Sequence, residues 1–114
     1  MIQKFKPLAL TTLSLLLAAE SSARALELSL SQAAGRAILE RHCARCHAID
    51  GAGTSPLALA PPLRDAYTRF SREELKMRLS EGIGSHFSGM PQIAFSSEEV
   101  AEIVDYLTSL PATR

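Results

Sequence analysis

The sequence lacks several features that mark common classes of protein. It has no tryptophan, only 5% of its residues are aromatic, and its 12 basic residues balance its 12 acidic ones. A balanced charge argues against a nucleic-acid partner, which calls for a strong basic excess. No stretch alternates polar and apolar residues as a strand does. The 114 residues therefore indicate one small all-α domain with little bulky apolar material of its own.

The amino-terminal 25 residues differ in character from the rest. Lys4 and Lys6 precede an apolar run over residues 8–19, and the small-x-small segment Ala23-Arg24-Ala25 follows. This order predicts a secretory signal peptide over residues 1–25, and the run is shorter than the roughly 20 apolar residues that a spanning helix needs. We expect export to the periplasm. An uncleaved amino-terminal anchor is the alternative, and only then do we expect membrane contact.

The predicted mature domain, residues 26–114, is mildly acidic. Removing Lys4, Lys6, Arg24 and Glu20 leaves 9 basic and 11 acidic residues and a net charge of −2. A domain of this size buries a modest fraction of its surface, so it often depends on a disulfide, a metal or a cofactor.

Three main helices are predicted, separated by loops. The first opens at Ser29 or Ser31, the second at Ser71, and the third at Ser96 or Ser97. Each start fits a capping box, in which a serine and a Glu or Gln three residues later cap each other's backbone amides. Two apolar stripes are expected to be buried: Leu30, Ala33, Ala34, Ala37 and Ile38 in the first helix, and Val100, Ile103, Val104, Leu107 and Leu110 in the third. Glycines and prolines predict loops over 50–62 and 82–91.

The segment Cys43-Ala44-Arg45-Cys46-His47 carries the chemistry. C-x-x-C-H is the attachment motif of c-type haem. Thiols three residues apart on a turn can both reach the vinyl groups at one edge of a porphyrin, and the adjacent histidine can ligate the iron. We therefore predict one haem c, attached through Cys43 and Cys46, with His47 as an iron ligand.

Other uses of two cysteines fit the segment less well. A thioredoxin-type motif follows a strand and needs no adjacent histidine, whereas this motif ends a predicted helix. A zinc site needs about four ligands, and only His42 and His86 remain to complete one. A structural disulfide is the default in an exported protein, but two cysteines three residues apart and followed at once by a histidine are more typical of a redox or metal motif.

The sixth iron position has one preferred ligand and two alternatives. Met90 lies between Gly89 and Pro91 in an irregular stretch, with no helical stripe to explain it. Methionine opposite histidine raises the potential of an electron-transfer haem. His86 or a vacant position is the alternative. Two other candidates have plainer interpretations: Met77 as core filling within the second helix, and His42 as a surface residue at a helix end.

These features resemble class I c-type cytochromes, the family of mitochondrial cytochrome c and its small bacterial relatives, from about Ser29 to Leu110. The resemblance implies an all-α cytochrome c fold wrapped around one covalent haem. It places Gly35 and Leu39 where the last helix crosses the first, with Ile103 and Tyr106 as their partners.

The resemblance also assigns Pro61 to the cofactor site. A loop proline in this family accepts a hydrogen bond from the proximal histidine through its carbonyl, which orients the imidazole. Three features depart from the family: Ala60 replaces the usual preceding glycine, Lys76 is the only mature lysine, and tryptophan is missing. Without tryptophan, Arg64 or Tyr67 is expected to serve the haem propionates.

Single-electron transfer between redox partner proteins is the function expected, with no catalytic residue of the chain's own. The donor and acceptor are not specified by the sequence, and the chain acts either freely or as the cytochrome subunit of a dehydrogenase or respiratory complex. The alternative is a haem-based ligand binder or small peroxidase with an exchangeable sixth position, suggested by His86 near Met90 in a glycine-rich loop.

Overall fold

The computed structural model describes residues 8–86 and 88–111, and within these ranges regular structure is entirely helical. The helices are α1 (Leu8–His42), α2 (Leu63–Ala66), α3 (Arg72–Glu81) and α4 (Ser97–Ser109). One 3₁₀ turn, Tyr67–Arg69, follows α2 and another, Ile83–His86, follows α3. The predicted all-α class is confirmed. Sequence reasoning missed α2 and both 3₁₀ turns, which are too short to show a periodic pattern.

The predicted start of the first helix at Ser29 or Ser31 is wrong. α1 already begins at Leu8, and the Ser29 hydroxyl donates to the carbonyl of Leu26, 2.8 Å away, within the helix. The physical reason is that no glycine or proline occurs between Pro7 and Gly35. The helix passes through the predicted cleavage point at Ala25, and cleavage stays a prediction. Among residues 8–86 and 88–111, no helix is long and apolar enough to cross a membrane.

The stripe predicted for the first helix is only partly buried. Leu30 is 62% exposed and Ala33 is exposed, whereas Ile38 and Leu39 are almost wholly buried. The hydroxyl of Ser31 donates to Asp105 of α4 at 2.8 Å, whereas Leu26 and Leu28, which precede it on α1, are 61% and 49% exposed. Helical spacing alone cannot show where a partner helix ends.

The starts and ends of α3 and α4 agree with the predictions. The hydroxyl of Ser71 accepts the amide of Glu74, and Gly82 ends α3 with a positive φ of 114°. Ser96 and Glu99 form the complete reciprocal capping box at the start of α4. Met77 lies in α3 as predicted but is 51% exposed, so its interpretation as core filling is wrong. The core face of α3 is formed instead by Leu75 and Leu79, one turn apart.

The core is centred on the crossing of α1 and α4. A Cβ added to Gly35 would lie 2.5 Å from the carbonyl carbon of Glu102 and 3.0 Å from the amide nitrogen of Ile103, so only glycine permits this approach. Ile103 and Val104 are fully buried beside it. The crossing that the resemblance implied is present. It brings the end of α1, which carries the cysteine motif, into contact with the core.

Candidate functional site

The cysteine motif is a tight turn at the end of α1. The amide of Cys43 still donates to the carbonyl of Leu39 at 2.7 Å. The amides of Cys46 and His47 then both donate to the carbonyl of Cys43, at 3.1 and 2.9 Å. Both cysteines are half-buried free thiols. The turn therefore keeps two unpaired thiols and one imidazole within five residues of chain.

The thiol of Cys43 lies in a poorly solvated place. Burial, with a smaller contribution from neighbouring Cys46, raises the pKa of Cys43 to about 11. The Cys43 thiol is therefore protonated at neutral pH, since the anion would lie in a poorly solvated place.

The imidazole of His47 is oriented by a loop proline. Its Nδ1 lies 2.7 Å from the carbonyl oxygen of Pro61. A carbonyl only accepts hydrogen bonds, so Nδ1 carries a proton. In the neutral imidazole this places the free lone pair on Nε2, the nitrogen that can then bind a metal. The contact expected from the resemblance is thus present in the structure, while the cofactor-binding role of Pro61 stays a prediction.

The loop between His47 and α2 brings Pro61 back to the histidine. The amide of Leu57 donates to the carbonyl of Cys46 at 3.1 Å, and the amide of Ala48 donates to the hydroxyl of Ser55 at 3.0 Å. The amide of Leu63 then donates to the carbonyl of Ala48 at 2.9 Å. These bonds fold the loop against the chain that follows the motif.

Asp50 is the centre of a polar cluster that sequence reasoning missed. Arg36 of α1 donates to its carboxylate from Nε at 2.9 Å and from Nη2 at 3.0 Å, and the hydroxyl of Tyr106 donates to it at 2.8 Å. The hydrogen bond from Arg36, followed by that from Tyr106, lowers the pKa of Asp50. Burial and this carboxylate raise the pKa of Tyr106 to about 12. No local signal could have shown the cluster, because its members lie 14 and 56 residues apart.

Met90 lies in the connection between α3 and α4. It is half-buried and follows Gly89, whose φ is 81°. The backbone of Met90 and Pro91 packs against Gly84, where an added Cβ would lie 2.8 Å from the carbonyl oxygen of Met90. Gly84 thus permits a close approach that holds the backbone carrying Met90, a contact that sequence reasoning missed.

The remaining candidates fall into three groups. His42 is exposed, as predicted, with its ring edge against Phe95 at a centroid distance of 5.6 Å. The side chain of His86 lies outside the described part of the structure. Tyr67 donates its hydroxyl to the carbonyl of Leu110 at 3.3 Å, and Arg64 donates to the carbonyl of Gly53 at 2.8 Å. These contacts tie loops together and lend no support to propionate binding by either side chain.

The donor set fits a c-type haem. Two free thiols, a histidine with Nε2 available and a methionine in a separate loop match the groups that attach the porphyrin and ligate its iron. Among the described residues, no group of three or more His, Cys, Asp and Glu side chains is placed to hold a metal ion.

Comparison with protein families agrees with this chemistry. Residues 31–107 match the family model described as cytochrome C oxidase, cbb3-type, subunit III. The chain belongs to this family. It contains a c-type cytochrome domain, and such a domain implies covalent haem c and haem-based electron transfer. Searches of curated proteins and of solved structures find no significant match.

The family match spans all the core elements of the cytochrome domain. It begins at Ser31, whose hydroxyl donates to Asp105 of α4, and ends at Leu107 in the last turns of α4. The cysteine motif, the Pro61 loop and the Met90 connection all lie within the matched range. The segment before Ser31, which extends beyond the packed core, lies outside it.

Proposed function

We propose that the chain is an exported carrier of single electrons with one His/Met-ligated haem c. It acts in the periplasm, either freely or as the cytochrome subunit of a dehydrogenase or respiratory complex, and catalyses no reaction on a substrate. The observation that carries this proposal is the 2.7 Å contact between His47 Nδ1 and the Pro61 carbonyl, directly after two free cysteines. The matched family's description, an oxidase subunit, supports a respiratory complex as the setting.

Each group in the proposal has one task. Cys43 and Cys46 form the thioethers, and His47 binds the iron through Nε2. Pro61 holds the imidazole in place and increases its basicity through the Nδ1 hydrogen bond. A bound haem c supplies an iron that changes between its ferrous and ferric states and so accepts and releases one electron.

Met90 is the proposed sixth ligand. Its half-buried position and the packing of its backbone on Gly84 support a fixed placement of its sulfur-bearing chain. With haem bound, ligation by the Met90 sulfur would leave no open position on the iron and would raise its potential relative to nitrogen ligation. Other ligands are thereby kept from the iron, which favours electron transfer over ligand chemistry.

Absorption spectra of the purified haem-loaded protein test the proposal. We expect a low-spin c-type spectrum in both oxidation states, a weak sulfur-to-iron band at the red edge when oxidised, and no response of the reduced protein to carbon monoxide. The substitution Met90→Ala should abolish the red-edge band, lower the midpoint potential and permit carbon monoxide binding.

Met77→Ala is the matched control, because it removes the other methionine of the mature domain at a half-exposed site on α3. It should leave the spectrum and the potential unchanged. Rapid carbon monoxide uptake by the unaltered protein would instead favour ligand binding or peroxidase chemistry. A Met90→Ala protein with the original spectrum would exclude Met90 as the ligand.

A further inference from the structure

We infer that Tyr106 and Asp50 are positioning residues for the axial histidine, an inference that rests on the proposed function. Their hydrogen bonds hold residues 48–50, which follow His47, against the crossing of α1 and α4. The hydroxyl of Tyr106 donates both to the backbone carbonyl of Ile49, at 3.0 Å, and to the carboxylate of Asp50, at 2.8 Å.

The two side chains that bind Asp50, those of Tyr106 and Arg36, belong to the closely packed crossing of α1 and α4. Tyr106 is only 8% exposed, and its neighbours in α4 include the fully buried Ile103 and Val104. Arg36, one residue beyond the close approach of Gly35 to α4, holds the same carboxylate through two of its nitrogens. Two nearly parallel hydrogen bonds of this kind fix the orientation of a carboxylate as well as its position. Asp50 is therefore held from both helices at once.

Pro61, the hydrogen-bond partner of His47, lies in a loop that is bonded to the same residues 48–50. The amide of Leu63, two residues after Pro61, donates to the carbonyl of Ala48 at 2.9 Å. Arg64 donates to the carbonyl of Gly53 at 2.8 Å and approaches the carbonyl of Asp50 at 3.4 Å. Both ends of the His47–Pro61 hydrogen bond thus depend on where residues 48–50 lie.

This arrangement gives the buried hydroxyl of Tyr106 a role beyond packing. If it is removed, the ring still fills the core, but the carbonyl of Ile49 loses its partner and the segment after His47 can shift. The Nδ1–H of His47 should then open to solvent more often. A weaker hydrogen bond also makes the imidazole a poorer electron donor, which disfavours ferric iron and raises the midpoint potential.

The test compares the haem-loaded variants Tyr106→Phe and Tyr67→Phe. Both remove one hydroxyl that donates to a backbone carbonyl, but that of Tyr67 binds Leu110, away from the histidine segment. NMR of the reduced protein measures the rate at which the His47 Nδ1 proton exchanges with solvent. It also measures the exchange rate of the Ile103 amide, which reports opening of the core. The exchange ratio is the first rate divided by the second. Tyr106→Phe should raise this ratio roughly three- to tenfold, as expected for one lost hydrogen bond, and should raise the midpoint potential. Tyr67→Phe should leave this exchange ratio unchanged.

A second pair of variants tests the inference if Tyr106→Phe fails to fold. Asp50→Asn and Asp105→Asn each neutralise a carboxylate bound by an arginine and a hydroxyl, since Asp105 is held by Arg72 at 3.2 Å and Ser31 at 2.8 Å. Only Asp50→Asn should raise the exchange ratio. An unchanged ratio in Tyr106→Phe or, where that variant does not fold, in Asp50→Asn would overturn the inference while leaving the proposed function intact. A wild-type protein that lacks covalent haem or His47 ligation would overturn both.

Discussion

The two sides of the proposed haem site are built in different ways. The histidine side is continuous with the core: the segment after His47 is bonded to α1 and α4, and these helices meet in direct backbone contact at Gly35. The methionine side is a connection between α3 and α4. Two hydrogen bonds join its second half to the end of α3, from Gln92 to the carbonyl of Glu81 and from the amide of Phe95 to the carbonyl of Leu79, and the backbone of Met90 packs against Gly84.

This contrast separates substitutions with global effects from substitutions with local ones. Residues 48–50 are bonded to both helices of the crossing, so a change that forces α1 and α4 apart should destabilise the whole domain. The connection that carries Met90 has fewer contacts and can shift while the helices stay packed. Damage on the methionine side should therefore alter the spectrum and the potential more than the stability.

Gly35→Val should have the largest effect. An added side chain would overlap the backbone of Glu102 and push α1 away from α4. We expect a loss of about 3 kcal/mol or more in the free energy of unfolding, because neither backbone can yield without repacking the core. Denaturant unfolding followed by circular dichroism measures it.

Ala33→Val is the control for this substitution. It introduces the same β-branched residue two positions earlier on α1, at an exposed site. It should cost well under 1 kcal/mol, the loss in helix propensity alone. Equal losses in both variants would mean that the close approach of the two helices does not matter for stability.

Gly84→Val should separate the two sides of the site. The new side chain would meet the carbonyl carbon of Pro91, at 2.7 Å from the Cβ, and displace the backbone that carries Met90. We expect a loss of about 1–3 kcal/mol in stability and, more tellingly, loss of the red-edge band with the helical circular dichroism retained. Ala94→Val, an exposed position in the same connection, should change neither. Unfolding of the helices by Gly84→Val would contradict the contrast.

Ser96→Ala should reduce the stability of the domain by a smaller amount. The serine hydroxyl accepts the amide of Glu99, and the Glu99 carboxylate accepts the amide of Ser96 at 2.9 Å in return. Loss of this cap should cost about 1 kcal/mol in the free energy of unfolding, measured with denaturant. The control Ser97→Ala changes the next, exposed serine, which lies inside α4, and should stay within a few tenths. A similar loss of stability in both variants would show that the loss does not come from the cap.

The charge of Asp50 should give the smallest effect, visible as a dependence of stability on pH. Its pKa is lowered in the folded protein, first by the hydrogen bond from Arg36 and then by that from Tyr106. The folded state therefore binds this proton less readily than the unfolded chain does. Its contribution is fully present above the unfolded pKa of about 3.9 and is lost as the pH falls through the lower, folded value.

Solvent screening limits that contribution to less than about 1 kcal/mol, since the Asp50 side chain is 53% exposed. Denaturant midpoints measured from neutral pH down to the acid transition should fall less steeply in Asp50→Asn than in the unaltered protein. Identical slopes in the two proteins would show that the Arg36 pair adds nothing to the histidine side.

Local patterns in the sequence predicted much of the fold and part of the site. Capping serines located α3 and α4, and the glycines and prolines of residues 50–62 correctly predicted a loop. The first helix was predicted too short because capping signals at Ser29 and Ser31 count only where the preceding chain cannot be helical, and here nothing interrupts it. Met77 was placed in the core because residue type alone does not show which face of α3 is covered.

The chemistry of the motif depends only on neighbours along the chain. The spacing of Cys43, Cys46 and His47 puts two thiols and an imidazole on one turn, whatever packs around it. How that turn is held depends on tertiary contacts, which the spacing does not specify. The bonds from Tyr106 to Ile49 and Asp50, and the approach of Gly84 to Met90, join residues that are distant in sequence or lie in irregular loops. Such contacts leave no periodic signal, because they arise only when the helices have packed.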